Sequence, residues 1–374
     1  MKHVTNFFEI MKAIQRFFLD YLENNNDLGN DLQSINILYD QDQINPQKLK
    51  AILHLISNIS DNHYRSTHFF EKIEKIIRKF KEEIHQFCSN DEIFNIFKNN
   101  KRIILFLLNE QIIKPNNYIT CIITKNDYKR KKYPNYFYPE FKPFFKEELI
   151  REIIQNDTDS NYSDENIEFF NEKRKSGENE DFICKLIRND SVEDFVYNIN
   201  KANISLSSEI RPSIFETNPF LLEKMPTIIE YSAFYGSIKI FKYLYLNKVE
   251  LTPSLWNYAI HGNYTELIHL LEEIQLRPIN NSFIQCFYES IKCHNNELAE
   301  YLRSNFLNDT EFVFDIQKVF DYYNYEFIDD DINNDFETLL MLCKNDYYEI
   351  VKFLLEKNKN FNVNTKAVSK HFVL

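Results

Sequence analysis

Glycine is nearly absent from this chain: Gly29, Gly177, Gly236 and Gly262 are all there are in 374 residues. They stand too far apart to write GxxxxGK[ST] or GxGxxG, so a glycine-rich phosphate cradle is excluded. The HExxH helix of zinc peptidases and the G-x-S-x-G nucleophile elbow are missing as well. Long apolar runs are lacking too, because the longest, Ile103 to Leu108, falls far short of the roughly 20 residues of a membrane-spanning helix. The start, MKHVTNFFEIMKAIQRFF, has neither an apolar signal core nor a small-residue cleavage site. The six cysteines form no CxxC, the pattern of buried thiols in a reducing compartment. A basic excess is missing: the formal net charge is -12, which disfavours a general binder of phosphate backbones. Together these absences lead us to expect an intracellular, cytoplasmic protein with no cofactor, no metal ion, no membrane span and no nucleic-acid partner.

What the chain does have is apolar periodicity. Hydrophobic residues make up 44%, normal for a globular chain, and the enrichment in Phe, Tyr, Ile, Asn and Lys follows A/T-rich codons. Phe7, Met11, Ile14, Phe18 and Leu22 share one helical face. The opposite face lacks the Lys/Arg excess of a membrane-surface helix, so a buried bundle helix is expected. Helical patterns continue through Lys48–Ile59 and Phe69–Phe87. Asp91 to Ile113 has the form of two helices, with Asn100 expected in the left-handed region between them. Lys129 to Lys132 then lead into YPNYFYPEFKPFF, where Pro134, Pro139 and Pro143 prevent a continuous helix; its aromatics are expected to anchor the segment to the core. From Asn156 to Glu180 the chain is polar and acidic, the pattern of a flexible linker, with Ser160 and Ser163 as acceptors for phosphate. We therefore expect a helical N-terminal region at 1–155 that divergent repeats could build, a linker at 156–180 and a repeat region at 181–374.

The repeat is legible between Thr227 and Leu271. Setting AFYG (Ala233 to Gly236) over AIHG (Ala259 to Gly262) aligns a small residue, a turn glycine and a following apolar helix. Lys239, Glu266, Glu297, Glu326 and Glu349 mark the same point of five copies, at intervals of 27, 31, 29 and 23 residues. An incomplete copy precedes them at 182–199, and the copy around Glu326 is the weakest. Gly236 to Leu244 and Tyr347 to Leu355 resemble the second helix of ankyrin repeats, and Thr227, Ala233 and Gly236 match the first-helix consensus T-P-L-H-x-A-A-x-x-G. More narrowly, SLWNYAIHGN, ESIKCHNNELAEYL, YYNYEFI, NEKRKSGEN and KYPNYFYPE are similar to a large family of ankyrin-containing proteins expanded in some protists. Its motifs carry no known chemistry. The resemblance implies an all-α, ankyrin-like helical-repeat solenoid. TPLH is absent, and the turn glycine survives in only two copies.

A solenoid stacks units that cannot bury their apolar faces alone, and so builds a long concave face. The expected role is non-enzymatic recognition of a protein partner, as adaptor or scaffold, on that face. Tyr231, Phe234, Tyr235, Trp256, Asn257, His261, Tyr288 and Lys292 are its candidate residues, aromatic and polar rather than charged. Two alternatives are an enzyme in residues 1–155 with the repeats as targeting arm, and a nucleic-acid-associated regulator using the basic run Lys129 to Lys132. His261, His269, Cys286, Cys293 and His294 are close in sequence, but their spacing matches no zinc pattern, and the two cysteines occupy positions that other copies fill with Leu255 and Gly262. They read as core thiols. Ala259 stands where neighbouring first helices approach, so Ala259→Leu is expected to destabilise the repeats by roughly 1–3 kcal/mol through overpacking. Thermal melting tests this, and an unchanged curve overturns the alignment.

Overall fold

The computed structural model describes residues 2–23, 45–66, 68–157, 161–163, 165–307, 312–328, 336–344, 347, 351–352 and 355. Among them every regular element is a helix, and the only extended pairing is an isolated bridge between Glu209 and Thr227. No described helix is long and apolar enough to cross a membrane. The chain divides into two compact units, one of Met1–Leu55 with Val313–Leu374 and one of Ile56–Phe312. The segment 156–180 therefore lies inside the second unit and does not separate two bodies.

In the first unit the helix Lys2–Glu23 buries Phe8, Met11, Ile14, Phe18, Tyr21 and Leu22, the face that the apolar spacing marks. Gln15 interrupts that face, and its amide is matched twice: Nε2 donates to Asn324 Oδ1 (2.8 Å) and Oε1 accepts from the backbone N–H of Tyr325 (2.7 Å). Arg16 forks onto Glu326 at 2.6 and 2.7 Å. The fifth expected copy falls largely outside the described residues.

The second unit holds the repeat pairs. Phe182–Arg188 with Val192–Ala202, Ile228–Phe234 with Ile238–Leu246, Leu255–Gly262 with Thr265–Glu273, and Phe283–Lys292 with Asn296–Phe306 are each a helix, a sharp turn and a helix. First helices of successive pairs pack side by side. Each turn holds one residue in the left-handed region: Asp190 (φ 47°), Gly236 (φ 62°), Asn263 (φ 55°) and His294 (φ 57°). At Gly236 its N–H bonds Ala233 O and the next N–H bonds Ser232 O; Asp190 and His294 repeat both bonds, which is the Schellman closure that satisfies the last carbonyls of a helix. The copy at 182–199, expected to be incomplete, is a full pair. The weak copy of the first unit has the same turn at Tyr323 (φ 53°), followed only by the short 3-10 turn Tyr325–Phe327.

Three expectations change here. Gly236 and Gly262 do not occupy equivalent turn positions: the left-handed residue that matches Gly236 is Asn263, and Gly262 is still helical. Gly262 is there for space, because a Cβ on it would stand 2.5 Å from the backbone oxygen of Phe234 on the neighbouring first helix. Asn100 is not left-handed (φ -109°); it caps the Lys101–Asn109 helix by accepting the Ile103 N–H at 3.2 Å. The segment 156–180 is not a flexible linker where it is described. It carries the helix Ile167–Ser176, with Phe170 and Arg174 buried and Gly177 (φ 68°) as its left-handed cap. Arg174 grips Glu140 through two bonds of 2.8 and 2.9 Å and also donates to Tyr136 O. Ser160 lies outside the described residues, and Ser163 is half-buried.

The proline-rich segment behaves as expected. Pro134, Pro139 and Pro143 open three short helical turns, 133–136, 138–141 and 142–144, where proline's missing N–H costs no bond. Tyr133, Tyr136, Phe137, Tyr138 and Phe141 are all buried.

The close approach at Gly262 gives a direct test. Gly262→Ala is expected to lower stability by about 2–3 kcal/mol, because the obstacle is a backbone carbonyl that cannot turn aside. A denaturant midpoint equal to the parent's would show that the two helices stand further apart than described.

Candidate functional site

The first helices of the repeat pairs share an aromatic and polar face that ought to be the exposed concave wall. The structure places most of its residues in the interior. Tyr231, Phe234, Trp256, His261 and Tyr288 are buried; Tyr235, Asn257 and Lys292 are half-buried. As an open wall, the face is corrected. Its cover comes from the same chain. Arg188 donates to Tyr231 Oη at 3.0 Å and lies over the ring of Tyr235. Phe220, from the Pro219–Lys224 helix, stacks on His261 with ring centroids 3.9 Å apart and meets Phe234 and Tyr258. His63 Nδ1 pairs with the backbone oxygen of Cys293 at 2.8 Å. Trp256 donates its indole N–H to Leu276 O at 2.9 Å and sets its ring edge-to-face on Phe283, so it packs against the following repeat pair. Tyr288 packs against Phe287 and Phe312.

Under this cover lies a seam of buried charge that the sequence hardly signals. Asp61, Lys101, Glu216 and His261 are all less than a tenth exposed. Lys101 Nζ donates to the carbonyls of Ile214 (2.8 Å) and Lys131 (3.3 Å). Burial brings its ammonium down to about 7 against the pull of Glu216 and Glu180. Glu216 Oε1 accepts the N–H groups of Thr217 and Asn218 at 2.9 and 2.8 Å and faces Arg65 at 3.9 Å; burial raises its carboxyl. Lys101 thereby joins the 56–101 helices to the 174–224 stretch by a bond to backbone, whereas Glu216 Oε2 is buried with no hydrogen-bond partner.

Asp61 is the least compensated. Burial raises it to about 7, although a hydrogen bond from Asn100 and the charges of Arg65, Lys131 and Lys292 pull the other way. Its Oδ1 is buried with no hydrogen-bond partner. At the other end of the seam His261 Nε2 meets Glu289 Oε1 at 2.7 Å, and Lys292 Nζ meets the same oxygen at 2.9 Å. Burial pushes Glu289 up, but His261 and Lys292 outweigh it and hold the carboxylate down at about 2. Burial also pulls the imidazole below its ordinary value, so near neutrality Glu289 is the charged member, balanced by Lys292.

Cys286 and Cys293 are buried, and burial drives both thiols upward, Cys286 to about 12. His269 is exposed and pairs with Glu272. Of the basic run, the side chains of Lys129 and Arg130 lie outside the described residues, and Lys131 is tied to Glu223 at 2.8 Å. An open polar cavity of about 750 Å³ lies elsewhere, lined by Lys81, His85, Asn90 and Glu110 among others; Glu110 is already held by Arg78 and Lys81. No known protein family, curated protein or solved structure matches the chain.

A carboxyl raised on folding contributes stability that is whole below its ordinary value near 3.8 and is lost as pH rises through about 7. Asp61→Asn is therefore expected to raise stability relative to the parent by on the order of 2–4 kcal/mol at pH 8, and by clearly less at pH 5. Denaturant midpoints at the two pH values check this; the same difference at both would show that Asp61 is solvated.

Proposed function

We propose that this chain is a non-enzymatic protein-recognition module whose helix pairs form an ankyrin-like solenoid. The observation that carries the reading is the recurrence of one turn, with Asp190, Gly236, Asn263 and His294 left-handed at the same point of successive pairs and first helices stacked side by side. Such stacks present long, regular surfaces on a rigid frame. The first-helix face is filled by Arg188, Phe220 and His63 of the same chain, so recognition falls to the second helices. There Tyr197, Tyr245 and Leu246 are 64%, 39% and 77% exposed, on the adjacent helices Val192–Ala202 and Ile238–Leu246. Exposed aromatic and aliphatic side chains on a fixed scaffold suit a protein partner. The pairing of Lys131 with Glu223 leaves the basic run less charge to offer phosphates. The carbonyl bonds of Lys101 give that lysine a structural use.

Affinity capture with the full chain, beside a Tyr197→Glu/Leu246→Glu variant shown to melt like the parent, tests the reading. The expected result is a small set of proteins retained by the parent and lost by the variant. Equal capture by both would move the surface elsewhere, and no specific protein with either would remove the recognition role.

A further inference from the structure

His261, Glu289 and Cys293 bring an imidazole nitrogen, a carboxylate oxygen and a thiol sulfur within 4.8 Å of one another. Glu289 and Cys293 are four residues apart, so they share one face at the end of the Phe283–Lys292 helix. His261 comes from the adjacent Leu255–Gly262 helix. We propose that these three side chains bind a divalent metal ion of the zinc class, joining two neighbouring first helices. Nitrogen, oxygen and sulfur ligands at about 2.0–2.3 Å from a tetrahedral centre stand roughly 3.3–3.8 Å from one another. The cluster reaches that geometry by opening the His261–Glu289 contact, now 2.7 Å, and drawing in the sulfur by up to about 1 Å.

The case rests on the histidine. His261 is 1% exposed, stacked on Phe220 and beside Phe234. Its Nε2 faces a carboxylate oxygen. Its Nδ1 is buried with no hydrogen-bond partner. A neutral imidazole has a single N–H, so one of its two nitrogens keeps a lone pair that can ligate. A metal ion on Nε2 takes the lone pair there and leaves the single N–H on Nδ1, the nitrogen from which metal-bound histidines habitually donate to an outer partner. Cys293 supplies a thiol that the ion deprotonates on binding, releasing one proton to solvent. The Glu289 side chain is 21% exposed, which leaves an access route and a fourth position for water. Lys292 is the competitor, since its ammonium sits 2.9 Å from Glu289 Oε1; its side chain is 28% exposed and can withdraw into solvent.

Cobalt(II) is the probe, titrated into the reduced full chain and followed by its thiolate-to-metal absorption. One equivalent is expected to bind with that band. Cys286→Ser, at an equally buried thiol, should leave it in place, whereas Cys293→Ser should abolish the band and His261→Gln should weaken binding by at least about 100-fold. Lys292→Met should tighten it by removing the competing ammonium. Failure to bind, a complex without the band, or binding that survives both ligand substitutions overturns the proposal. Should the two ligand variants fail to fold, Lys292→Met decides: unchanged or weaker affinity counts against the site.

Discussion

A helix can be followed at once by an antiparallel helix only if one residue between them takes positive φ and the freed carbonyls find donors. In this chain that requirement is met again and again by backbone alone. The two bonds that close the Gly236 turn also close those at Asp190 and His294, whatever the side chain. The first helices of successive pairs approach closely, to the point where Gly262 has no room for a Cβ beside Phe234 O. Over the aromatic face built on those helices lie Arg188, Phe220 and His63.

Much of the helical layout was legible because it rests on local patterns. The face of the first helix, the prolines at the start of three short turns and the paired helices all follow from periodicity and backbone chemistry. The turns were harder, because the left-handed residue is Asp, Asn, His or Tyr where a glycine is expected. Asn263 follows Gly262 directly, so the glycine looks like the turn residue when it serves helix contact. Asn100 shows the reverse, an asparagine whose side chain caps a helix start. The identity of a residue type does not tell which of its two uses applies.

The candidate site was legible in position and not in exposure. Tyr, His and Trp have an apolar body and a polar tip, so the same texture suits an open surface or an internal seam with partners at the tips. Tyr231 finds Arg188, His261 finds Glu289, and Trp256 finds the Leu276 carbonyl. Those partners lie 43, 28 and 20 residues away in the chain, beyond the reach of any local pattern. Asp61, Lys101 and Glu216 were missed for the same reason: a charge on an apolar face looks like a solvated one until its neighbours are known.

Trp256 is the chain's only tryptophan, and it lies wholly within the Ile56–Phe312 unit, 1% exposed, with its indole N–H bound to a carbonyl. Fluorescence excited beyond the tyrosine absorption band therefore originates at one point, between the third repeat pair and the Phe283 helix beside it. Its emission reports the wetting of that joint alone. Loss of order in the unit formed by Met1–Leu55 and Val313–Leu374 has no indole of its own to announce it, and a fluorescence melt and a circular-dichroism melt of this chain follow different parts of it.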